Sequence, residues 1–211
     1  MIVKTMVVGP FQVNNYLVVC EETKEAVLID AGGDLTKLEK RLEETGATLK
    51  YIFNTHGHLD HIAGIYDIQK KLGVKVYLHK DDEFLVDSFQ QSLSMYGFPH
   101  YETPKIDEYF EEHQELKVGN IVFKVIHTPG HSPGSVCLLA DNNLFAGDTI
   151  FSRSVGRTDL PGGSYRQLKS SVEDIIFKLN ENIIIHSGHG PTTTVGEEVE
   201  HNPFFGKHAN R

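Results

Sequence analysis

Three histidines and an aspartate crowd into Thr55-His56-Gly57-His58-Leu59-Asp60-His61. Imidazole nitrogens and carboxylate oxygens at this density suit divalent zinc, iron or manganese. A helix would send His56 and His58 to opposite sides, so the stretch is predicted as an irregular loop that lets them converge. Three more candidates stand in Gly- or Pro-rich turns: His131 in Thr128-Pro-Gly-His-Ser-Pro-Gly134, Asp148 in Ala146-Gly-Asp-Thr149, and His189 in His186-Ser-Gly-His-Gly-Pro191. A structural zinc site is a closed sphere of four ligands, whereas seven candidates leave positions for water, which is what hydrolytic chemistry needs.

Each candidate follows an apolar run that reads as a strand. Tyr51–Asn54 precedes the His-rich stretch, Ile121–His127 precedes His131, Asn143–Ala146 precedes Asp148, and Ile183–His186 precedes His189. Sites in sheets flanked by helices collect at strand carboxyl ends, so the positions agree with one another. Further strands are predicted at Met1–Val8, Tyr16–Cys20, Ala26–Asp30, Val74–Leu78 and Ser135–Ala140. Asp34 caps a helix with Leu35, Leu38 and Leu42 on one face and Gly46 at its end. A second helix turns Ile65, Ile68 and Leu72 inward, and Asp81-Asp82-Glu83 places acid at the start of a third, where the dipole favours it. Residues 94–105 read as a loop. Ser164 and Gln167 form a capping-box pattern before Leu168, Val172, Ile175 and Leu179, and the tail from Gly196 holds one helical turn at most. Strands followed by helices occur twice, which predicts one domain over residues 1–211, a four-layer αββα sandwich of two similar halves.

The remaining histidines are weighed differently. His79, His100, His113, His201 and His208 read as surface or hydrogen-bonded residues, while His127 and His186 end strands near the site and could support it. Lys plus Arg is 20 and Asp plus Glu is 29, a net charge of −9 that disfavours nucleic acid and anionic membrane surfaces as partners. The first residues lack the basic flank, apolar stretch and cleavage site of a signal peptide, and no apolar run reaches membrane-spanning length. Cys20 and Cys137 lie far apart in strand-like runs and read as buried reduced thiols, so a cytoplasmic location is expected.

Taken in order and spacing, Thr55–His61, His131, Asp148 and His189 resemble the metallo-β-lactamase superfamily over nearly the whole chain. The resemblance implies an αββα sandwich with two divalent metal ions at its edge, zinc first, iron or manganese as alternatives. One ion would take His56, His58 and His131, the other Asp60, His61 and His189, and Asp148 would bridge them. Gly147-Asp-Thr-Ile-Phe151, Gly156-Arg-Thr-Asp-Leu-Pro-Gly-Gly163, Gly188-His-Gly-Pro-Thr192 and the pair Asn15-Tyr16 are similar to the short bacterial members of the glyoxalase II (hydroxyacylglutathione hydrolase) branch. That branch implies hydrolysis of a small thioester by a metal-bridging hydroxide, with Asp60 and Asp148 as catalytic carboxylates. Arg157 matches a substrate-binding position and is expected to meet a substrate carboxylate, with a pair to Asp159 as the competing arrangement. Asp159 and Pro191 stand where full-length glyoxalase II places tyrosines, and only about twenty residues follow His189, where those enzymes carry a helical domain. Two alternatives remain, a mononuclear iron persulfide dioxygenase and another superfamily hydrolase such as a phosphodiesterase. The oligomeric state is left open.

Overall fold

Alternation of apolar residues along the strands decides which side of each sheet meets which layer. In the computed structural model, which describes residues 1–99 and 101–209, both faces of the central strands are apolar and both are covered. His100, read above as a surface histidine, lies outside the described residues, as do Asn210 and Arg211.

The first half contains β1 (Ile2–Val8), β2 (Val13–Val19), β3 (Glu25–Ile29), α1 (Leu35–Thr45), β4 (Thr48–Phe53), α2 (Leu59–Ile62), α3 (Ile65–Leu72), β5 (Lys75–His79), α4 (Glu83–Asp87), α5 (Phe89–Tyr96) and β6 (Glu108–Phe110). Its sheet runs in chain order from β1 to β6, antiparallel up to β3 and parallel from β3 onward. The second half contains β7 (Glu115–Val118), β8 (Ile121–His127), β9 (Val136–Ala140), β10 (Asn143–Gly147), β11 (Ile150–Phe151), β12 (Ser154–Val155), α6 (Tyr165–Ser170), β13 (Ile184–Ser187), β14 (Thr193–Thr194) and α7 (Val195–His201). Its sheet has the order β14-β13-β10-β9-β8-β7, with β10 and β13 parallel, and β11 pairs with β12 separately.

Three apolar clusters separate four layers. Leu17, Leu28 and Ile52 face Leu38, Ile65 and Ile68 of the helices outside the first sheet. Val18, Ile29 and Phe53 face Phe123, Leu138 and Phe145 between the two sheets. Leu144, Ala146 and Ile185 face Leu168, Val172 and Ile176 outside the second. The chain is thus the αββα sandwich expected. Cys20 and Cys137 are buried and unpaired, as their strand positions predict.

Some elements differ from the sequence reading. The third helix divides at Ser88 into α4 and α5, and α5 extends through Tyr96, inside the segment 94–105 read as loop, until Gly97 in the left-handed region (φ 67°) ends it. The short strands β6, β7, β11, β12 and β14 have no counterpart in the sequence reading. After α6 the chain widens into a π-turn at Ser171–Ile175 and then a 3-10 turn at Ile176–Lys178. A wider turn keeps residues four apart on one face, so Ile176 follows Leu168 and Val172 into the core where Ile175 was expected. The tail forms α7, seven residues capped by Thr194, longer than the single turn anticipated.

Phe53 joins the sheets. Its ring meets Tyr77 and Phe110 of its own sheet at 5.3 and 5.8 Å between centroids, and Phe123 of the other at 5.7 Å. Phe53→Ala is expected to lower unfolding free energy by about 3–5 kcal/mol. A urea titration that shows a loss below about 1 kcal/mol would place the sheet-to-sheet anchor elsewhere.

Candidate metal centre

The loop after β4 carries His56 and His58, and the first turn of α2 carries Asp60 and His61. The Asp60 and His61 positions are therefore helical, while His56 and His58 keep the irregular backbone that lets them converge. The β8–β9 connection delivers His131, the end of β10 delivers Asp148, and the end of β13 delivers His189. All seven side chains meet in one place.

They meet in groups. His56, His58 and His131 form one set of donor atoms within 4.8 Å of one another, and Asp60, His61 and His189 form another. A third set, His56, His61 and Asp148, connects them. Asp148 reaches both sides: Oδ1 lies 3.4 Å from His61 Nε2, and Oδ2 lies 3.6 Å from the Nε2 atoms of both His131 and His189. His189 Nε2 is 3.2 Å from Asp60 Oδ2, and His58 Nδ1 is 2.8 Å from His131 Nε2. Donors about 2.0–2.1 Å from a tetrahedral zinc ion stand about 3.3–3.4 Å apart, close to the spacings of 3.2 to 3.6 Å here, and the His58–His131 pair at 2.8 Å is tighter.

The unpaired atoms support the same fit. Among the described residues six buried side-chain atoms lack a hydrogen-bond partner, and three of them, His56 Nε2, His61 Nε2 and Asp148 Oδ1, belong to the set that connects the two sides. Unsatisfied buried polar atoms are costly, and a cation shared by these lone pairs removes the cost. The opposite ring nitrogens are already committed. His56 Nδ1 meets Thr55 Oγ1 at 3.1 Å, His61 Nδ1 meets Asp30 Oδ2 at 2.9 Å, and His131 Nδ1 meets the Arg157 carbonyl at 2.8 Å. Each partner favours a proton on Nδ1 and leaves Nε2 free to ligate.

Two buried carboxylates hold the donor loops from behind. Asp30, at the end of β3 with φ 57°, accepts from the Thr55 N–H at 2.8 Å and from the Thr55 hydroxyl, besides meeting His61. Asp82 accepts from Gly57 N–H at 2.8 Å on the first loop, and from Ser132 Oγ and Gly134 N–H, both at 2.7 Å, on the His131 loop. One side chain thereby ties a loop of the first sheet to a loop of the second. Gly134 has no alternative: a Cβ there would sit 2.7 Å from Asp82 Cγ. Gly188 is equally constrained, since its Cβ would lie 2.2 Å from Asp148 Oδ1. On the far side, Asn14 Nδ2 donates to the Ser187 and Gly190 carbonyls and fixes the turn bearing His189, while Asn15 Oδ1 accepts from Gly32 N–H.

Neither Asp30 nor Asp82 was singled out from sequence. Asp82 looked like a dipole-complementing acid at a helix start, yet it is fully buried and faces the loops. For Asp30 the sequence signal is a carboxylate directly after an apolar strand, β3, and Asp82 has none of that kind. Of the two histidines expected to support the site, His127 donates its Nε2–H to the Pro133 carbonyl at 2.9 Å and so braces the His131 loop. His186 instead bonds Asn143 and stacks on Phe145. His79 stacks on His127 at 4.4 Å and 9°, and with Asp81 the two rings bring one donor atom each within 4.8 Å of one another. Arg157 forms a two-point pair with Asp159, at 2.6 and 2.7 Å, the competing arrangement weighed above.

Charges within the cluster oppose one another. Burial, then the neighbouring His61, His131 and His58, push the His56 pKa well below its ordinary value; burial and His131 take His58 down to about 3. Both rings are neutral and ready to ligate. Burial works against a charge on His61 too, but Asp30, Asp148 and Asp60 outweigh it and hold the pKa well above normal. Burial would raise the Asp148 carboxyl, but His61, His131 and His189 keep it far below the usual range.

The chain belongs to the metallo-beta-lactamase superfamily, whose family model matches residues 8–195, and it is a metallo-hydrolase of that class. It is 36% identical over 202 residues to hydroxyacylglutathione hydrolase GloC of Haemophilus influenzae, covering 94% of this chain and 95% of that protein. Among solved structures, the BLEG-1 B3 metallo-beta-lactamase superposes with a TM-score of 0.89 at 38% identity, covering 97% and 99% of the two chains. TTHA1623, solved in a di-iron-bound form, gives 0.86 at 36% identity, covering 95% and 99%.

A ring whose pKa is raised carries a proton at neutral pH, and a ligating nitrogen cannot. Zinc binding to metal-free protein at pH 7 should therefore release about one proton or more, and should weaken as pH falls. Calorimetry in buffers of different ionisation enthalpy reads the release; none would contradict the charge assignment of His61. Asp82→Asn puts an amide N–H against a backbone N–H and should cost about 1–3 kcal/mol of stability. Its zinc affinity should fall about 10- to 100-fold with the folded spectrum retained. Unchanged affinity would remove Asp82 from the positioning of the loops.

Proposed function

We propose that the chain is a binuclear thioester hydrolase of the glyoxalase II kind. The observation that carries this reading is the division of seven donors into two sets with Asp148 reaching both. Two divalent ions held there, zinc first and iron as the alternative, would supply acidified water and polarise the substrate carbonyl. The likeness to a hydroxyacylglutathione hydrolase supports the thioester, and the di-iron-bound relative supports two ions.

The chain's own residues contribute orientation and charge. His56, His58 and His131 hold one side, Asp60, His61 and His189 the other. Asp148, ionised under the influence of His61, His131 and His189, fixes the separation of the two sides and accepts from attacking water. Asp60, beside His189, takes up the proton as water adds to the carbonyl carbon. The C–S bond then breaks, the sulfur leaves as thiolate without prior protonation, and the products are a carboxylate and a thiol. A small molecule is the partner on this reading, with nucleic acid and anionic membrane surfaces disfavoured by the −9 charge, and the cytoplasm is its compartment. No described helix is long and apolar enough to cross a membrane.

Elemental analysis of metal-loaded protein should give two ions per chain. Asp148→Ala should lower turnover of an acyl-thioester panel about 100-fold or more, since losing partners even one shell further out costs 10- to 100-fold. A ratio fixed at one in excess metal, together with oxygen uptake on a persulfide, would replace this reading with the mononuclear iron oxygenase. Turnover of a chromogenic β-lactam or of a phosphodiester, but of no thioester, would assign the other hydrolase chemistries.

A further inference from the structure

A cavity of about 590 Å³ opens directly over the donor cluster, with His58, Asp60, His131, Asp148 and His189 on its floor. Its walls are of another character: Phe11, Phe84, Leu85, Met95, Tyr96 and Leu160. Eight large apolar side chains are exposed among the described residues, and four of them, Phe11, Phe84, Met95 and Tyr96, border this one opening. Apolar surface gathered at one place marks what the surface binds. α5 explains half of it, turning Phe89 and Leu93 into the core and presenting Met95 and Tyr96 to the cavity. Phe11, from the β1–β2 connection, closes the wall, with its ring 5.8 Å from Tyr96 and 5.3 Å from Phe98.

Charge points the same way. The polar groups completing the wall, Ser88, Gln91 and Ser92, are uncharged. Arg157 is the one Lys or Arg among the described lining residues, and one edge of its guanidinium, Nε and Nη2, already meets Asp159. A substrate carboxylate at that edge would have to displace an acid tethered two residues away, and one at Nη1 would meet an exposed cation whose charge Asp159 already offsets, so little free energy is available either way.

We propose that the cavity takes an apolar, uncharged arm of the substrate in preference to an arm that bears carboxylates, so that the thioesters cleaved are those of aliphatic or aromatic groups. The inference rests on the thioester reading above. The apolar arm can come from the acyl or the thiol side of the linkage, and chemistry of the same kind recognises both.

The test uses full-length, metal-loaded protein and two measurements. In the first, kcat/KM is determined for neutral thioesters lengthened one methylene at a time, once on the acyl side and once on the thiol side, beside a glutathione thioester. In the second, calorimetry measures binding of the matching thioethers, which cannot be hydrolysed. Burial of each methylene should raise both quantities about fourfold until the cavity is full, along whichever side supplies the arm. Phe84→Ser and Phe11→Ser should flatten the series with metal content unchanged, and Arg157→Ala should leave its slope as it is. A flat thioether series, a slope that survives both Phe substitutions, or a preference for the glutathione thioester that Arg157→Ala abolishes would overturn the proposal. Graded thioether binding without cleavage of any thioester would sink the hydrolytic reading alone and leave the apolar arm standing.

Discussion

Seven donor side chains, five imidazoles and two carboxylates, must be held a few ångströms apart in a buried space, and this constraint governs the structure around them. Like-charged rings so close repel, and burial opposes any charge at all. The cluster resolves the conflict by unequal sharing. His56 and His58 are kept neutral by burial and by their neighbours, whereas His61 sits among Asp30, Asp60 and Asp148 and holds its proton. His56 Nε2, His61 Nε2 and Asp148 Oδ1 remain without partners there, and a divalent cation that displaces the His61 proton satisfies all three.

Such an arrangement needs rigid support, and the support is carboxylate chemistry one layer back. Asp30 binds both ends of the Thr55–His61 segment, through the Thr55 N–H and the His61 ring. Asp82 binds that segment at Gly57 and the His131 loop at Ser132 and Gly134. Burial pushes the Asp82 carboxyl above the usual range while the Ser132 hydroxyl and the Gly57 and Gly134 N–H groups pull it back. Its several donors are what make an ionised group tolerable there. The two sheets contribute donors to one cluster, so a link between their loops matters more than the strength of either loop alone.

The donors were legible in sequence because their chemistry is local: His56, His58, Asp60 and His61 announce themselves within one turn of chain, and the other three stand in conspicuous Gly- and Pro-rich turns. The strands that place them were legible from apolar runs buried on both faces. Asp82 was not, because its meaning comes from partners at positions 57, 132 and 134, while its immediate neighbours, Asp81 and Glu83, spell an ordinary helix start. Strands β6 and β7 are three and four residues long and carry charged residues, too short for alternation to show. The π-turn after α6 shifted the buried face from Ile175 to Ile176, a change of register that depends on packing against β10 and β13 and leaves no mark on propensity.

Chemistry and specificity come from different parts of this chain. The donors sit at strand ends, where the sheet fixes backbone positions and a one-residue slip would scatter them. The cavity walls come from the β1–β2 connection, from α4 and α5 and from the stretch around Leu160, segments that lie over the sheet ends and do not carry the ladders. Phe11 and Met95 can change without moving His56 or Asp148, because no strand depends on them. A sandwich of this kind can therefore keep one hydrolytic centre and exchange the surface that selects its substrate. This is also why the metal-binding pattern was plain in the sequence and the character of the substrate arm was not: it emerges only when four exposed apolar side chains, separated by as many as eighty-five positions, border one opening.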